Sequence, residues 1–425
     1  MTFDMKRRIM HLDVNSAYLS FEAVYRLQHG EILDIREIPS AVGGDPESRH
    51  GIILAKSIPC NQYGVQTGET LYEARLKCAG YGVELLIFPP RYECYMKCSN
   101  ALVELLREYT PKVQRYSIDE CFLDFTGMEN MYPNIEELAF SIKERIKKEL
   151  GFAVSVGVSI NKLLAKMGSD MAKDAVVTLY PQEIKKKMWP LPVGDLFMVG
   201  RQTNAKLFTL GIETISDLAN YDPEILKFKL KSHGQLIWNY AHGIENSEVR
   251  KSNHMVMKGI GNSTTVSFDV EDAMNAHLVL LSLTESVAVR LRYSQNTCRL
   301  VEVSYVSKDF IGYSRQKKLS FSTDSTTQIA KIANMIFDEL WKGDPVRKLG
   351  VRVSELCSNE FTQATLFDDK DIEKQRKIDV VVDDLRVRFG SKSITKASFI
   401  HSGIHGLSMG MGGGEEDYPL MSSIL

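Results

Sequence analysis

Several features that would place a chain quickly are missing from this one. None of its 425 residues fall in a run approaching the ~20 apolar residues of a membrane-spanning helix. Met1 to Arg8 has no apolar core of a secretory signal, so the expectation is a cytoplasmic protein with no membrane partner. The seven cysteines, at 60, 78, 94, 98, 121, 298 and 357, are odd in number and scattered. Cys94 and Cys98 lie one helical turn apart, yet no second Cys or His pair completes a zinc set, so all seven are expected to be reduced thiols. No G-x-x-x-x-G-K-[ST] run occurs, which argues against a P-loop hydrolase. There is no charge excess either: 52 Lys and Arg stand against 54 Asp and Glu, a net charge of −2. A near-neutral sum does not exclude a nucleic-acid partner, because binding depends on a local basic face. No internal repeat of useful strength is present.

What the chain does have is ordinary globular composition, 44% hydrophobic and 25% charged, and length enough for about three or four domains. The informative stretch is Arg115 to Phe125, where β-forming residues flank Asp119-Glu120 and predict two strands folded over a short turn. Acidic residues are common in turns, so a lone Asp-Glu is usually solvated. Two adjacent carboxylates in a half-buried hairpin nevertheless repel and must be desolvated, unless cations sit between them. A third carboxylate arrives at Asp13, where Arg8 to Asp13 reads as a buried strand. Val14-Asn15-Ser16 and a helix over Ala17–Gln28 follow. Asn15 or Ser16 is expected to cap that helix, leaving first-turn backbone N–H groups beside Asp13 as a phosphate-attracting helix start. Three carboxylates at strand ends suit two Mg²⁺ ions, with Mn²⁺ as a substitute, and phosphoryl or nucleotidyl transfer.

In order, residues 29–82 are rich in Gly, Pro and polar residues and read as a small inserted subdomain with a strand at 52–55 and a helix near 70–77. Its Gly43-Gly44-Asp45-Pro46-Glu47 looks like a cyclase turn but is expected to be a decoy with no strand pair around it. The larger core resumes with a strand at 83–88 and helices over 92–108 and 135–150. A strand at 153–160 and a helix at 161–173 complete it, giving a mainly antiparallel sheet with helices on one side. Residues 190–243 are helical. Gly200 and Gly211, each read as opening a short helix, suggest helix–hairpin–helix phosphate contacts as readily as plain helix caps. Residues 244–257 read as a linker. A further α/β unit follows, with strands near 261–270, 298–307, 311–321 and 348–356 and helices near 273–293 and 326–342. The basic residues Arg315, Lys317 and Lys318 are as readily solvated surface as a binding face. Beyond 357 the chain is polar. Gln363 to Phe367 reads as an apolar docking peptide, a helix is expected over 371–388, and the end is Gly/Met/Ser-rich.

The combination resembles the Y-family (translesion) DNA polymerases, closest to the bacterial UmuC-type branch, from about Ile9 to about residue 400. It rests on Leu12-Asp13-Val14-Asn15-Ser16-Ala17-Tyr18, Tyr63-Gly64-Val65, Tyr116 to Asp124, and Ser159-Ile160-Asn161-Lys162 with Met171-Ala172-Lys173. The resemblance implies an α+β right hand: palm 1–24 and 83–173, small fingers 25–82, helical thumb 174–243, linker 244–257, α/β little finger 258–356 and a tail 357–425. It implies primer–template DNA and dNTPs as substrates, and error-prone synthesis across lesions in DNA repair and SOS mutagenesis. Asp13, Asp119, Glu120 and the Val14 carbonyl are implied metal ligands. Asn15, Ser16, Ala17, Tyr18, Lys162, Lys56 and Asn61 are implied to surround the nucleotide, Tyr18 as the steric gate against a ribose 2′-hydroxyl. Gln363, Leu366 and Phe367 are similar to the family's peptide for the β sliding clamp, and an accessory mutagenesis subunit is a further implied partner in a nucleoid-associated, cytoplasmic setting. Asn61 stands where the family carries Lys or Arg, which implies weaker triphosphate binding, with Lys56 or Arg75 as substitutes. Lys173-Asp174-Ala175-Val176 also departs from the family's Lys-Pro-x-Gly. The alternatives are a non-catalytic DNA and clamp adaptor, or a nucleotidyl cyclase.

Overall fold

The computed structural model describes residues 3–44, 51–250, 257–359, 370–390 and 393–400, with the side chains of 370–373 excepted. The described residues up to 250 form one compact unit, and those from 257 onward a second.

In chain order the first unit contains β1 (Ile9–Val14), α1 (Ala17–Gln28), β2 (Ser40–Gly43), β3 (Ile53–Lys56), α2 (Leu71–Ala79), β4 (Leu86–Phe88), α3 (Tyr92–Arg107), β5 (Val113–Arg115) and β6 (Glu120–Asp124). It continues with α4 (Ile135–Leu150), β7 (Val154–Ser159), α5 (Lys162–Met171), β8 (Val176–Thr178) and four helices, α6 (Arg201–Phe208), α7 (Ile215–Asn220), α8 (Pro223–Leu230) and α9 (Ser232–Ala241). Its main sheet runs β5-β6-β1-β7-β8, antiparallel throughout except for the parallel β7–β8 pair at one edge.

The two-residue period of the strands explains what the sheet carries on each face. Met10, Leu12 and Val14 of β1, with Cys121, Leu123, Val154, Val156 and Val158, enter the core shared with α1, α3 and α4. Ile9 and Phe122 point the other way, against Ala165 of α5. Helices therefore cover both faces, not one as expected, which is why all six residues of β1 are buried. Gly157 makes the second face possible: a Cβ there would meet the Ala165 carbonyl oxygen at 1.8 Å.

The strand placed at 83–88 is shorter than expected and belongs elsewhere. β4 pairs in parallel with β2 in a separate three-stranded sheet, β3-β2-β4, so the inserted subdomain extends past residue 82. β2 and β3 pair antiparallel on either side of Gly44-Asp45-Pro46, which corrects the expectation that no strands flank that stretch; positions 45–50 lie outside the described residues. β8 was not anticipated; three residues at a sheet edge carry too little pattern. In the helical part, Gly200 does precede α6, whereas Gly211 sits in the following turn at φ +74°, and α7 is opened instead by Thr214 and its capping partner Asp217. The stretch read as a linker makes contacts over its described part. Val249 is buried beside Ile9 and Phe122, Arg7 donates to the Ser247 carbonyl at 2.8 Å, and the Arg250 N–H donates to Gln114 at 3.2 Å.

The second unit comprises β9 (Gly259–Val270), α10 (Ala273–Tyr293), β10 (Asn296–Ser307), β11 (Gly312–Thr323), α11 (Thr326–Leu340), β12 (Val346–Ser358) and α12 (Lys370–Phe389). Its antiparallel sheet runs β11-β10-β12-β9, and α10 and α11 close the core over it. α12 is held by charge: Arg292 is bidentate on Asp383 at 2.6 and 3.0 Å, Asp379 accepts the Thr326 N–H at 2.9 Å, and Arg376 pairs with Asp324 at 2.8 Å. The expected docking peptide, Gln363, Leu366 and Phe367, lies outside the described residues. All seven cysteines are free thiols, and among the described residues no helix is long and apolar enough to cross a membrane.

Candidate active site

The hairpin and the first strand do converge. In the β1–β6 register Asp13 lies directly opposite Glu120, which puts their Cβ atoms about 5 Å apart on one face. It is the face of His11 and Phe122, covered by α5. Asp119 precedes β6; its carbonyl accepts the Val14 N–H at 3.0 Å, its carboxylate accepts from the Ser117 hydroxyl, and it feels the charge of Asp13. Burial is the main cause that raises both Asp119 and Glu120 above the usual carboxylate range, with the neighbouring carboxylates adding to it.

Two lysines offset this charge. Lys166 of α5 lies 2.7 Å from Glu120 and is nearly buried, and Lys173 lies 3.0 Å from Asp13 with 60% of its side chain exposed. Neither is among the expected site residues, and Lys166 is one turn beyond Lys162 on the helix. Lys162 itself turns elsewhere: its Nζ is 3.5 Å from Gln114 and 5.6 Å from the centre of the Phe122 ring, and its backbone N–H donates to Glu245. The lysines beside the acids are Lys166 and Lys173. His11, also unforeseen, bonds Ser169 through Nδ1 at 2.7 Å, while Nε2 stands 3.9 Å from Glu120 without a hydrogen-bond partner. Burial and the two lysines hold its pKa well below the usual histidine range, so it is neutral.

The helix start differs in detail from expectation. Ser16 occupies the cap position in a left-handed conformation, φ 48°, and makes no side-chain cap. The Asn15 amide is engaged by Ser155 at 2.7 Å. The start of α1 thus lies next to the acids without a side-chain cap from Ser16, and its dipole favours an anion there. Tyr18 is half-buried, its ring stacked on Tyr95 at 5.1 Å and edge-on to Tyr92 at 6.0 Å. In the small sheet Lys56 donates to the Asn61 side chain, so the two expected nucleotide contacts are partners of each other.

A divalent cation suits the donor set, three hard carboxylates whose buried charge favours a counter-ion. Asp13 and Glu120 are in lysine salt bridges, Asp119 accepts from Ser117, and among the described residues no three acidic, His or Cys side chains are gathered around a single metal-sized point.

Fold and site together define a mixed α/β protein with an acidic centre on an antiparallel sheet. The same architecture is seen in a Y-family DNA polymerase chimera, Dbh-Dpo4(243-245)-Dbh, with a TM-score of 0.69 and 22% identity, over 83% of this chain and 100% of that one. Residues 12–170 match the impB/mucB/samB family and residues 257–366 its C-terminal domain. The chain is 47% identical to a DNA polymerase IV of Clostridium acetobutylicum over 92% of its own length and 98% of the relative's. It is 36% identical to DNA polymerase IV 2 of Bacillus subtilis, over 93% and 95%. The chain belongs to the impB/mucB/samB family of Y-family translesion DNA polymerases. It is a DNA-directed DNA polymerase whose substrates are DNA and nucleotides, and the adaptor and cyclase alternatives fall away.

Proposed function

We propose that Asp13, Asp119 and Glu120, with the Val14 carbonyl, hold two divalent ions, Mg²⁺ or in its place Mn²⁺, for nucleotidyl transfer at a primer end. The observation that carries this is the β1–β6 register, which sets Asp13 against Glu120 with Asp119 alongside. When bound, the ions supply a lowered pKa for the attacking hydroxyl and charge stabilisation for the leaving pyrophosphate. The protein's own part is to present the carboxylates on a rigid sheet, bring the start of α1 towards the triphosphate, and place the Tyr18 ring against the sugar. Lys173, exposed and tethered to Asp13, is the cation best placed to turn from the carboxylate to a phosphate. The pairing of Lys56 with Asn61 supports a weaker grip on the triphosphate there.

The palm then comprises β1, α1, α3 to α5 and β5 to β8. The fingers are the small sheet, including β4, with α2; the thumb is α6 to α9, with Gly200 and Gly211 near DNA phosphate; and the second unit is the little finger. Recruitment by the β sliding clamp through Gln363–Phe367, an accessory mutagenesis subunit, a role in SOS mutagenesis and a nucleoid-associated cytoplasmic location complete this reading. Asp119→Ala and Glu120→Ala are expected to lower primer extension by more than about a thousandfold while primer–template affinity stays within about threefold. Extension at near wild-type rate in either variant would overturn the assignment.

A further inference from the structure

Behind Tyr18 lies a buried ionic group that the chemistry above does not use. Glu22, one turn further along α1, is fully buried. Its Oε1 accepts from Arg26 Nε at 2.9 Å and lies 3.4 Å from Arg91; its Oε2 accepts the Tyr95 hydroxyl at 3.0 Å. A buried carboxylate is weak evidence for stability, since an apolar residue of similar volume often serves the core as well. Its partners give it a direction. Tyr95 is the fully buried ring on which Tyr18 stacks, and the Phe21 ring lies 6.1 Å from it. The two arginines are spread over aromatic faces in turn, Arg91 over Tyr25 at 4.3 Å and Arg26 over Phe88 of β4 at 4.1 Å. Glu22 thus ties α1, the start of α3 and the small sheet together at one buried point, bonded to the ring on which Tyr18 stacks.

We propose that Glu22 is a positioning residue for sugar selection. By fixing the Tyr95 hydroxyl, it holds the ring that backs Tyr18 and so sets how firmly Tyr18 excludes a ribose 2′-hydroxyl. The inference rests on the reading of Tyr18 as the wall beside the sugar. A wall discriminates only as far as it resists displacement by the wrong substrate. Tyr18 is half-buried and stacked on Tyr95, so what anchors Tyr95 adds to its resistance.

The test is single-nucleotide insertion by the full chain on primer–template DNA, measuring kcat and KM for each dNTP and its ribonucleotide. Tyr95→Phe keeps the stacked ring and removes only the anchored hydroxyl. Its preference for deoxyribonucleotides is expected to fall about fivefold, the scale of one buried hydrogen bond, mainly through a lower KM for ribonucleotides. Its kcat/KM for dNTPs should stay within about twofold of wild type. Glu22→Ala should lose preference similarly, Glu22→Gln should restore most of it because the amide oxygen still accepts from Tyr95, and Tyr95→Phe combined with Glu22→Ala should lose no more than either alone. Wild-type preference in Tyr95→Phe, beside its collapse in Tyr18→Ala, would overturn the positioning role while leaving the wall in place. Wild-type preference in Tyr18→Ala would instead remove the wall, and this inference with it.

Discussion

Adding a single methyl group at Gly157 tests how tightly α5 is held against the sheet that carries the acids. The Cβ of an alanine would sit 1.8 Å from the Ala165 carbonyl oxygen, 2.5 Å from the Ser169 nitrogen and 2.9 Å from the Ala165 carbonyl carbon. All three are backbone atoms, so no side chain can swing aside. The helix must retreat by roughly 1.5 Å to reach ordinary contact, in an interior that is close-packed. Overpacking of this kind costs typically about 1–3 kcal/mol, and a backbone clash belongs at or above the upper end. For a unit of this size, about 3 kcal/mol is a fall of roughly 6–12 °C in Tm. The same retreat draws Lys166 off Glu120 and Ser169 off His11, now 2.7 Å apart in each case. Gly157→Ala should therefore melt well below wild type and lose primer extension beyond what its folded fraction explains. Calorimetry together with extension at 20 °C separates the two effects. A variant with wild-type Tm and rate would refute the close α5–β7 contact on which the site's geometry depends.

Burial raises Asp119 and Glu120, so the folded protein keeps protons that the unfolded chain has released. Stability from this source is complete below the ordinary carboxylate range and is lost as pH rises through the raised values. A Tm gain from added Mg²⁺ should accordingly be larger at pH 8 than at pH 5. Asp119→Asn should flatten that difference and raise the metal-free Tm by about 2–4 °C, read by scanning calorimetry; a metal-free Tm unchanged by the substitution would count against the strain. Lys173→Ala should raise the dNTP KM by about tenfold, the scale of a charge-assisted contact, and more than Lys162→Ala does in the same steady-state assay; the reverse order would return the role to Lys162. In the second unit, Arg292→Ala removes the bidentate partner of Asp383, and hydrogen exchange over the described part of α12 should quicken by tenfold or more while β10 and β12 stay protected. Unchanged exchange would show that other contacts secure the helix.

Local pattern made the elements that build the site legible. α1 and α4 match their expected limits, since helical spacing of apolar residues and Gly151 at the end of α4 leave little choice. The acids were legible because a carboxylate at the end of an apolar strand is costly without a purpose, wherever its partner lies in the chain. What was not legible depends on pairing between distant segments. The partner of β4 is fixed by three residues that fit either sheet, and α5 occupies the second face because Gly157 admits it, which no periodicity announces. The lysines beside the acids were not legible for a related reason: which face of α5 Lys166 presents depends on how the helix is rotated on the sheet, and Lys173 lies just beyond the helix end. α12 could be expected as a helix, but its charged face against Arg292 and Thr326 runs counter to the rule that apolar faces turn inward.

The most direct test of the acidic centre is to count Mn²⁺ bound to the full-length polymerase by electron paramagnetic resonance, with primer–template and a non-hydrolysable dNTP analogue present. Two bound ions in the wild-type protein, and the loss of at least one in Asp119→Asn with DNA still bound, are expected. An equal number of ions in both proteins would mean that Asp13, Asp119 and Glu120 do not form the metal centre.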